Sequence, residues 1–364
     1  MKEFIRPISV KFNPEEFSSY KPEEILFFDI ETTGFSPEKS TLYLIGCVYF
    51  EKGEFYSKQW FVDEPAFEME AIAAFMEFIL NFKAIVHYNG SGFDIPYIIK
   101  KCEQYNIIHH FDDIASIDIY KIISNYKTLF KTVNIKQKTM EQFLKIHRED
   151  KYNGGELIKV YNAYCQKPSD ELLRLLLLHN HNDLTGMIGI LPLINYNVLL
   201  KGEYSLSSIT LNNTQTSDSI GKKEVIITLY SKKPLPARVS CGNNNYYFIA
   251  FEHSIKICIQ VYTDELKFFY PNYKDYYYLP EEDRSIHKSV AFYVDKNFRT
   301  KAKAANCYSK KTGNFLPQYK EIITPFFRID FYDKISYFEF VEEFSNNETE
   351  ILKYCHHIFE TLLT

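Results

Sequence analysis

ILFFDIETTGF, residues 25–35, reads as a buried strand that empties into a turn. Its first residues are apolar without interruption, as in a strand covered on both faces. Asp29 and Glu31 stand two residues apart, so both carboxylates leave the same face of the sheet. Gly34 permits a tight turn, and Thr32 and Thr33 set hydroxyls beside the acids. Two neighbouring carboxylates repel each other unless a cation lies between them. Hard oxygen donors suit Mg²⁺ or Mn²⁺ better than zinc. An Asp-x-Glu pair alone also reads as a solvated strand end, and the longer string DIETTG is the more specific signal.

Working outward, LYLIGCVYF (42–50) and GEFYSKQWF (53–61) are strand-like runs joined closely enough for an antiparallel hairpin. AFEMEAIAAFMEFIL (66–80) has helical periodicity, AIVHY (84–88) is a short strand, and a helix follows from about Asp94 to Gln104. The order implies an α/β domain with a mixed sheet. HYNGSGFDIPYII (87–99) places Asp94 at a helix start, where aspartate is also a favoured N-cap. Helices dominate residues 139–200, and the best of them contains HNHNDLTGM (179–187). His179 and Asp183 are four apart, hence on one helix face. His181 falls roughly opposite and is not a candidate.

Asp-x-Glu, then Asn-x3-Phe-Asp, then a histidine and aspartate on a late helix resembles the DEDD exonuclease superfamily. Within it the chain is most similar to the YprB-like predicted exonucleases, a likeness spanning residues 25–198 and including NIKQKTMEQFLKIHREDKYNGGELIKVYNAY. The resemblance implies a ribonuclease H-like mixed five-stranded sheet flanked by helices. It implies that Asp29, Glu31, Asp94 and Asp183 hold two ions, Mg²⁺ or Mn²⁺, for phosphodiester hydrolysis from a 3′ end. His179 would then be the general base or hold the attacking water. The superfamily usually has a tyrosine four residues before the last aspartate or a histidine five before it; here His179 takes the tyrosine's slot and Leu178 the other. By looser analogy Thr33 and Phe35 touch the terminal nucleotide and Asn89 a phosphate. Two other readings on the same fold are an inactive nucleic-acid-binding protein and a structure-specific endonuclease.

The remainder is less specific. Residues 1–24 read as an N-terminal extension, 25–200 as the nuclease-like domain and 201–224, polar and rich in Ser, Thr and Asn, as a linker. Residues 225–364 form a second α+β domain, with antiparallel strands at VIITLYS, NYYFIAFE, IKICIQVY and ELKFFY and a last helix at about 348–363. Its segment 284–320 carries Arg284, Lys288, Lys296, Arg299, Lys301, Lys303, Lys310, Lys311 and Lys320 against one acid, Asp295. With Tyr293, Phe298, Tyr308 and Phe315 interleaved, it suits single-stranded nucleic acid, or else is a solvated lysine-rich surface. A net charge of −5 gives no global nucleic-acid signature. Seven scattered cysteines without Cys-x2-Cys spacing argue against a disulfide framework and suggest the cytoplasm. Met187–Leu200, interrupted by Pro192, Asn195 and Asn197, falls short of the ~20 apolar residues of a membrane span, so no membrane association is expected.

Overall fold

The computed structural model of the protein describes residues 1–10, 20–148, 152, 154–213 and 223–364. The chain divides into two compact units, Met1–Asn197 and Val198–Thr364.

Unit 1 is built on β1 (Lys2–Ile8), β2 (Ile25–Thr32), β3 (Leu42–Glu51), β4 (Glu54–Phe61), β5 (Ala84–His87) and β6 (Ala115–Asp118). Their order across the sheet is β1-β4-β3-β2-β5-β6. The β1, β4, β3 and β2 ladders are antiparallel, whereas β5 and β6 continue parallel to β2. This is the expected ribonuclease H-like mixed sheet, with six strands where five were expected. The additional pairing comes from residues expected to be an extension, since Lys2–Ile8 lies along Phe55–Phe61. That strand is mostly exposed and contains Pro7, so it lacks the apolar alternation by which a strand is recognised.

Among the described residues, six helices flank the sheet: α1 (Glu68–Ile79), α2 (Asp94–Tyr105), α3 (Ile119–Ser124), α4 (Gln137–Phe143), α5 (Gly154–Gln166) and α6 (Asp170–Ile190). The pleat of β2 sorts its side chains between two cores. Leu26, Phe28 and Ile30 pack with Ile72, Phe75 and Ile98 of α1 and α2. The opposite face carries Asp29 and Glu31, and there Tyr43, Leu44 and Phe61 pack against Tyr161, Tyr164 and Leu176 of α5 and α6. Ser169 caps α6 by accepting from the Leu172 N–H at 3.3 Å. The α-helix stops at Ile190 and continues as a 3₁₀ segment, Leu191–Tyr196, with Pro192 in its first turn. By length and composition alone the run Asp170–Lys201 could cross a membrane, longer than the stretch weighed from sequence, but 67% of its apolar window is buried inside the protein, as in a core helix.

Unit 2 starts at Val198, just before the expected linker, and its first strand falls inside that linker. β7 (Tyr204–Asn213) pairs with β8 (Lys223–Gly242), which pairs with β9 (Tyr246–Gln260). Residues 214–222 of that linker lie outside the described residues. NYYFIAFE and IKICIQVY, read as separate strands, are almost wholly one strand, β9. β8 passes through Pro234 and Pro236 by shifting register between Tyr230 and Val239. A second sheet has the order β10 (Tyr262–Phe269), β14 (Tyr308–Gln318), β16 (Ser336–Glu339), β15 (Phe326–Phe327). A third joins β12 (Arg284–His287), β11 (Tyr276–Leu279) and β13 (Thr300–Lys301). The final helix, Glu348–Leu363, falls where the periodicity placed it.

Candidate metal centre

The site forms where α6 crosses the β2–β3 ladder, and a glycine sets the distance. Gly46 lies opposite Asp29 in the register. A Cβ there would fall 1.8 Å from Asn180 Oδ1 and 2.8 Å from a Leu184 methyl, so only glycine admits α6 this closely. Asn180, fully buried, then donates from Nδ2 to Asp29 Oδ2 at 2.9 Å. Its own Oδ1 accepts from Gln59 Nε2 at 2.9 Å, which fixes the amide orientation. Burial, reinforced by the charges of Asp183, Asp94 and Glu31, pushes the Asp29 carboxyl well above the usual range, against the pull of Asn180.

Glu31 is 9% exposed and accepts from the Tyr43 hydroxyl at 3.3 Å. Tyr43 is held by stacking on Tyr161 at 4.4 Å between ring centroids. Burial and then Asp183 raise the Glu31 carboxyl well above its ordinary value. His179 Nε2 lies 3.7 Å from Glu31 Oε1 and 3.2 Å from Asp183 Oδ2. Glu31, His179 and Asp183 each offer an atom within 4.8 Å of the others, close enough to hold one metal ion. The donor set fits a divalent cation: buried carboxylate oxygens, raised by burial and then by one another's charge, beside an imidazole nitrogen.

Asp94 is the first residue of α2, and its N-cap is Phe93, so the N-cap reading of this aspartate does not hold. The carboxylate turns instead to β2, where Oδ1 accepts from Ile30 N at 3.4 Å. Burial raises its pKa to about 7, against the hydrogen bonds from its own and Ile30's backbone. The loop before it is shaped by buried Asp118 and His87. Asp118 accepts from Asn89 N at 2.9 Å and Ser91 N at 3.4 Å, and His87 Nδ1 accepts from Gly90 N at 3.0 Å. Burial depresses His87 to about 4, so its ring is neutral. Asn89, at φ 62, keeps its side chain exposed.

Thr33 closes its own loop, its hydroxyl accepting from Thr41 N at 2.8 Å. Beneath that loop, buried Glu68 accepts from Leu42 N at 2.6 Å and from Lys101 at 2.9 Å, and Lys101 also donates to Ser40 O at 2.7 Å. The same turn leaves Phe35 90% exposed, edge-on to Phe93 at 5.9 Å. His181 stays out of the cluster, its pKa lowered to about 4 by burial and Arg6. Asn180, Gln59, Tyr43 and Arg148 belong to the site or its frame and were missed from sequence. A glycine within an otherwise apolar strand was the legible hint for Asn180; the others had none.

In unit 2 the basic segment divides. Arg284 pairs with Glu282, Lys288 with Asp275, Lys310 with Asp283 and Glu265, Lys311 with Glu339 and Lys320 with Glu360. Lys296, Lys301 and Lys303 are exposed and enter no ion pair among the described residues. Tyr308 and Phe315 are 5% and 0% exposed and cannot stack on a base, whereas Tyr293 is 86% and Phe298 51% exposed. Phe292, not considered from sequence, is 77% exposed.

Residues 26–195 match the family model described as the RNase_H superfamily. Among solved structures, the family B DNA polymerase of the hyperthermophilic archaeon Pyrobaculum calidifontis is 12% identical, with TM-score 0.37, over 68% of this chain and 34% of the polymerase. The Aedes aegypti Nibbler EXO domain is 16% identical with TM-score 0.33, over 48% of this chain and 81% of that one. E. coli ExoI, in a metal-free complex with single-stranded DNA, is 11% identical with TM-score 0.31, over 57% of this chain and 53% of ExoI. The chain thus spans about a third of the polymerase's length and about half of ExoI's. No curated protein matches the sequence. The topology of unit 1, together with the family match over residues 26–195, gives this part of the chain a ribonuclease H-like fold.

Proposed function

We propose that unit 1 is a metal-dependent 3′→5′ exonuclease acting on a nucleic-acid strand. The observation that carries this reading is the convergence of Glu31, His179 and Asp183 within 4.8 Å, beside Asp29, whose carboxyl is raised by burial and by its acidic neighbours. Glu31, Asp183 and Asp29 would hold one divalent ion, and Asp94 would complete a second site with Asp29. When bound, such ions supply Lewis-acid stabilisation and a more acidic water. His179, 3.2 Å from Asp183 and 3.7 Å from Glu31, is placed to take the proton of that water or to hold it in line. Phe35, exposed at the tip of the Thr33 loop, would lie against the terminal base, with Asn89 near a phosphate. The 3′ polarity and the pair of ions rest on the likeness of the motifs to the DEDD exonucleases.

In unit 2, Lys296, Lys301 and Lys303, with Phe292, Tyr293 and Phe298, form the part of the basic segment suited to a single strand: exposed cations for phosphates and exposed rings for bases. Arg284 and Lys288, singled out from sequence, are each committed to an acid and fit that role less well.

The test is a degradation panel of 5′- and 3′-labelled single- and double-stranded DNA and RNA in Mg²⁺, Mn²⁺ or EDTA, with a circular single strand beside it. Mononucleotide release from 3′ ends in metal, with the circle intact, supports the proposal. Cleavage of the circle would make the protein an endonuclease, and binding without turnover in either metal would make it an inactive binder.

A further inference from the structure

The acidic site contains a cation of its own. Arg148, which follows α4, places Nη2 2.5 Å from Asp183 Oδ1 and Nη1 3.3 Å from Glu141 Oε1, with its side chain 11% exposed. Glu141 is 1% exposed, and Gln137, one turn earlier on α4, donates to its Oε1 at 2.9 Å. The same Gln137 amide donates to the Asp183 carbonyl at 2.7 Å. A notch in α6 admits this assembly, because a Cβ on Gly186 would fall 2.1 Å from Glu141 Oε1. Asp183 is thus held at its backbone carbonyl by Gln137 of α4 and at one carboxylate oxygen by Arg148. The other oxygen, Oδ2, faces His179 at 3.2 Å.

A planar guanidinium can bridge two carboxylates at once, which an ammonium cannot do with the same geometry. Burying Glu141 without such a partner would leave an uncompensated charge, so its presence is explained by Arg148. Resting on the metal-site reading above, we propose that Arg148 is a positioning residue. Braced by Glu141, it grips Asp183 Oδ1 so that Oδ2 is presented to a divalent cation with Glu31. Residues that orient a metal ligand typically change affinity by about 10–100-fold when lost.

The experiment is an Mn²⁺ titration of the full chain without substrate, free Mn²⁺ being read by electron paramagnetic resonance and folding by circular dichroism. Arg148→Met should weaken Mn²⁺ binding by about 10–100-fold. Arg148→Lys should recover part of that loss, and Glu141→Gln should weaken binding less than Arg148→Met. Unchanged or tighter binding in a folded Arg148→Met chain overturns the proposal, tighter binding marking Arg148 as a competitor of the metal. Should Arg148→Met not fold, parent-like affinity in both Arg148→Lys and Glu141→Gln overturns it equally. Absence of Asp183-dependent Mn²⁺ binding in the parent chain would instead refute the metal site on which it rests.

Discussion

Two groups of carboxylates in this protein have opposite electrostatics. In unit 1, Asp29, Glu31 and Asp94 are raised by burial, with neighbouring acids adding to the effect. In unit 2, Asp283 accepts from the hydroxyls of Tyr278 and Tyr308 and pairs with Lys310 at 2.6 Å. Those partners hold its carboxyl far below the ordinary range. Asp283 has its cation and its donors built into the fold, at a residue in the left-handed region (φ 48). Asp29, Glu31 and Asp94 share a buried site where neighbouring acids raise them further, a cost that a divalent cation would relieve. The contrast separates a carboxylate neutralised within the fold from a set that, under the proposed function, would take a divalent cation.

The largest effect is expected from removing a ligand. Asp29→Ala or Asp183→Ala should lower Mg²⁺-dependent strand degradation by about a thousandfold or more, several kcal/mol of transition-state stabilisation. Asp283→Ala should leave turnover within about twofold, being a surface carboxylate of another unit. Degradation at parent rate by either site variant would remove the unit 1 carboxylates from catalysis and dissolve the contrast.

Stability against pH comes next. The folded-state pKa of Asp94, about 7, lies above its unfolded value of about 3.9, so the folded chain holds the extra proton between them. Without metal, this contribution is full below about pH 4 and is lost as pH rises to about 7, up to about 4 kcal/mol. Asp94→Asn should flatten that fall in melting curves recorded in EDTA from pH 5 to 8, and Mn²⁺ should reverse it in the parent. For Asp283 the sign is opposite: its contribution is present above about pH 4 and is lost on further acidification. Asp283→Asn should therefore change melting at neutral pH and leave the 5–8 slope alone. A parent chain whose EDTA curves rise with pH over that range would show that the unit 1 acids are satisfied after all.

Two smaller effects concern the frame and the surface. Gly46→Ala should displace Asn180 and cost about 1–3 kcal/mol by overpacking, read as a lower melting temperature with weakened Mn²⁺ binding. Loss of stability with metal affinity intact would mean that Asn180 does not set the site. Replacing Lys296, Lys301 and Lys303 with Gln should reduce the salt slope of oligonucleotide binding by about 2, at roughly 0.7 per phosphate contact on a single strand. Neutralising the paired Lys288, Lys310 and Lys311 should reduce it less. Equal reductions would show that the ion pairs seen here do not select the binding cations.

What the sequence by itself determined is the order of elements and the identity of the acids. A buried strand ending in Asp-x-Glu, a glycine-rich turn into Asp94 and the one-turn spacing of His179 and Asp183 are local patterns, set by pleat and helical period, and each was found on its expected element. Tertiary structure decided the rest. Lys2–Ile8 becomes a strand only because β4 offers a free edge. The Asp94 carboxylate turns to Ile30 because β2 lies beside it. Four of the nine basic residues of the segment are paired with acids distant in sequence, such as Lys311 with Glu339. The bridge from Glu141 through Arg148 to Asp183 spans 42 positions and closes only when α4 settles into the Gly186 notch. Period and propensity act over a few residues, whereas these pairings depend on which surfaces the packed sheet brings together.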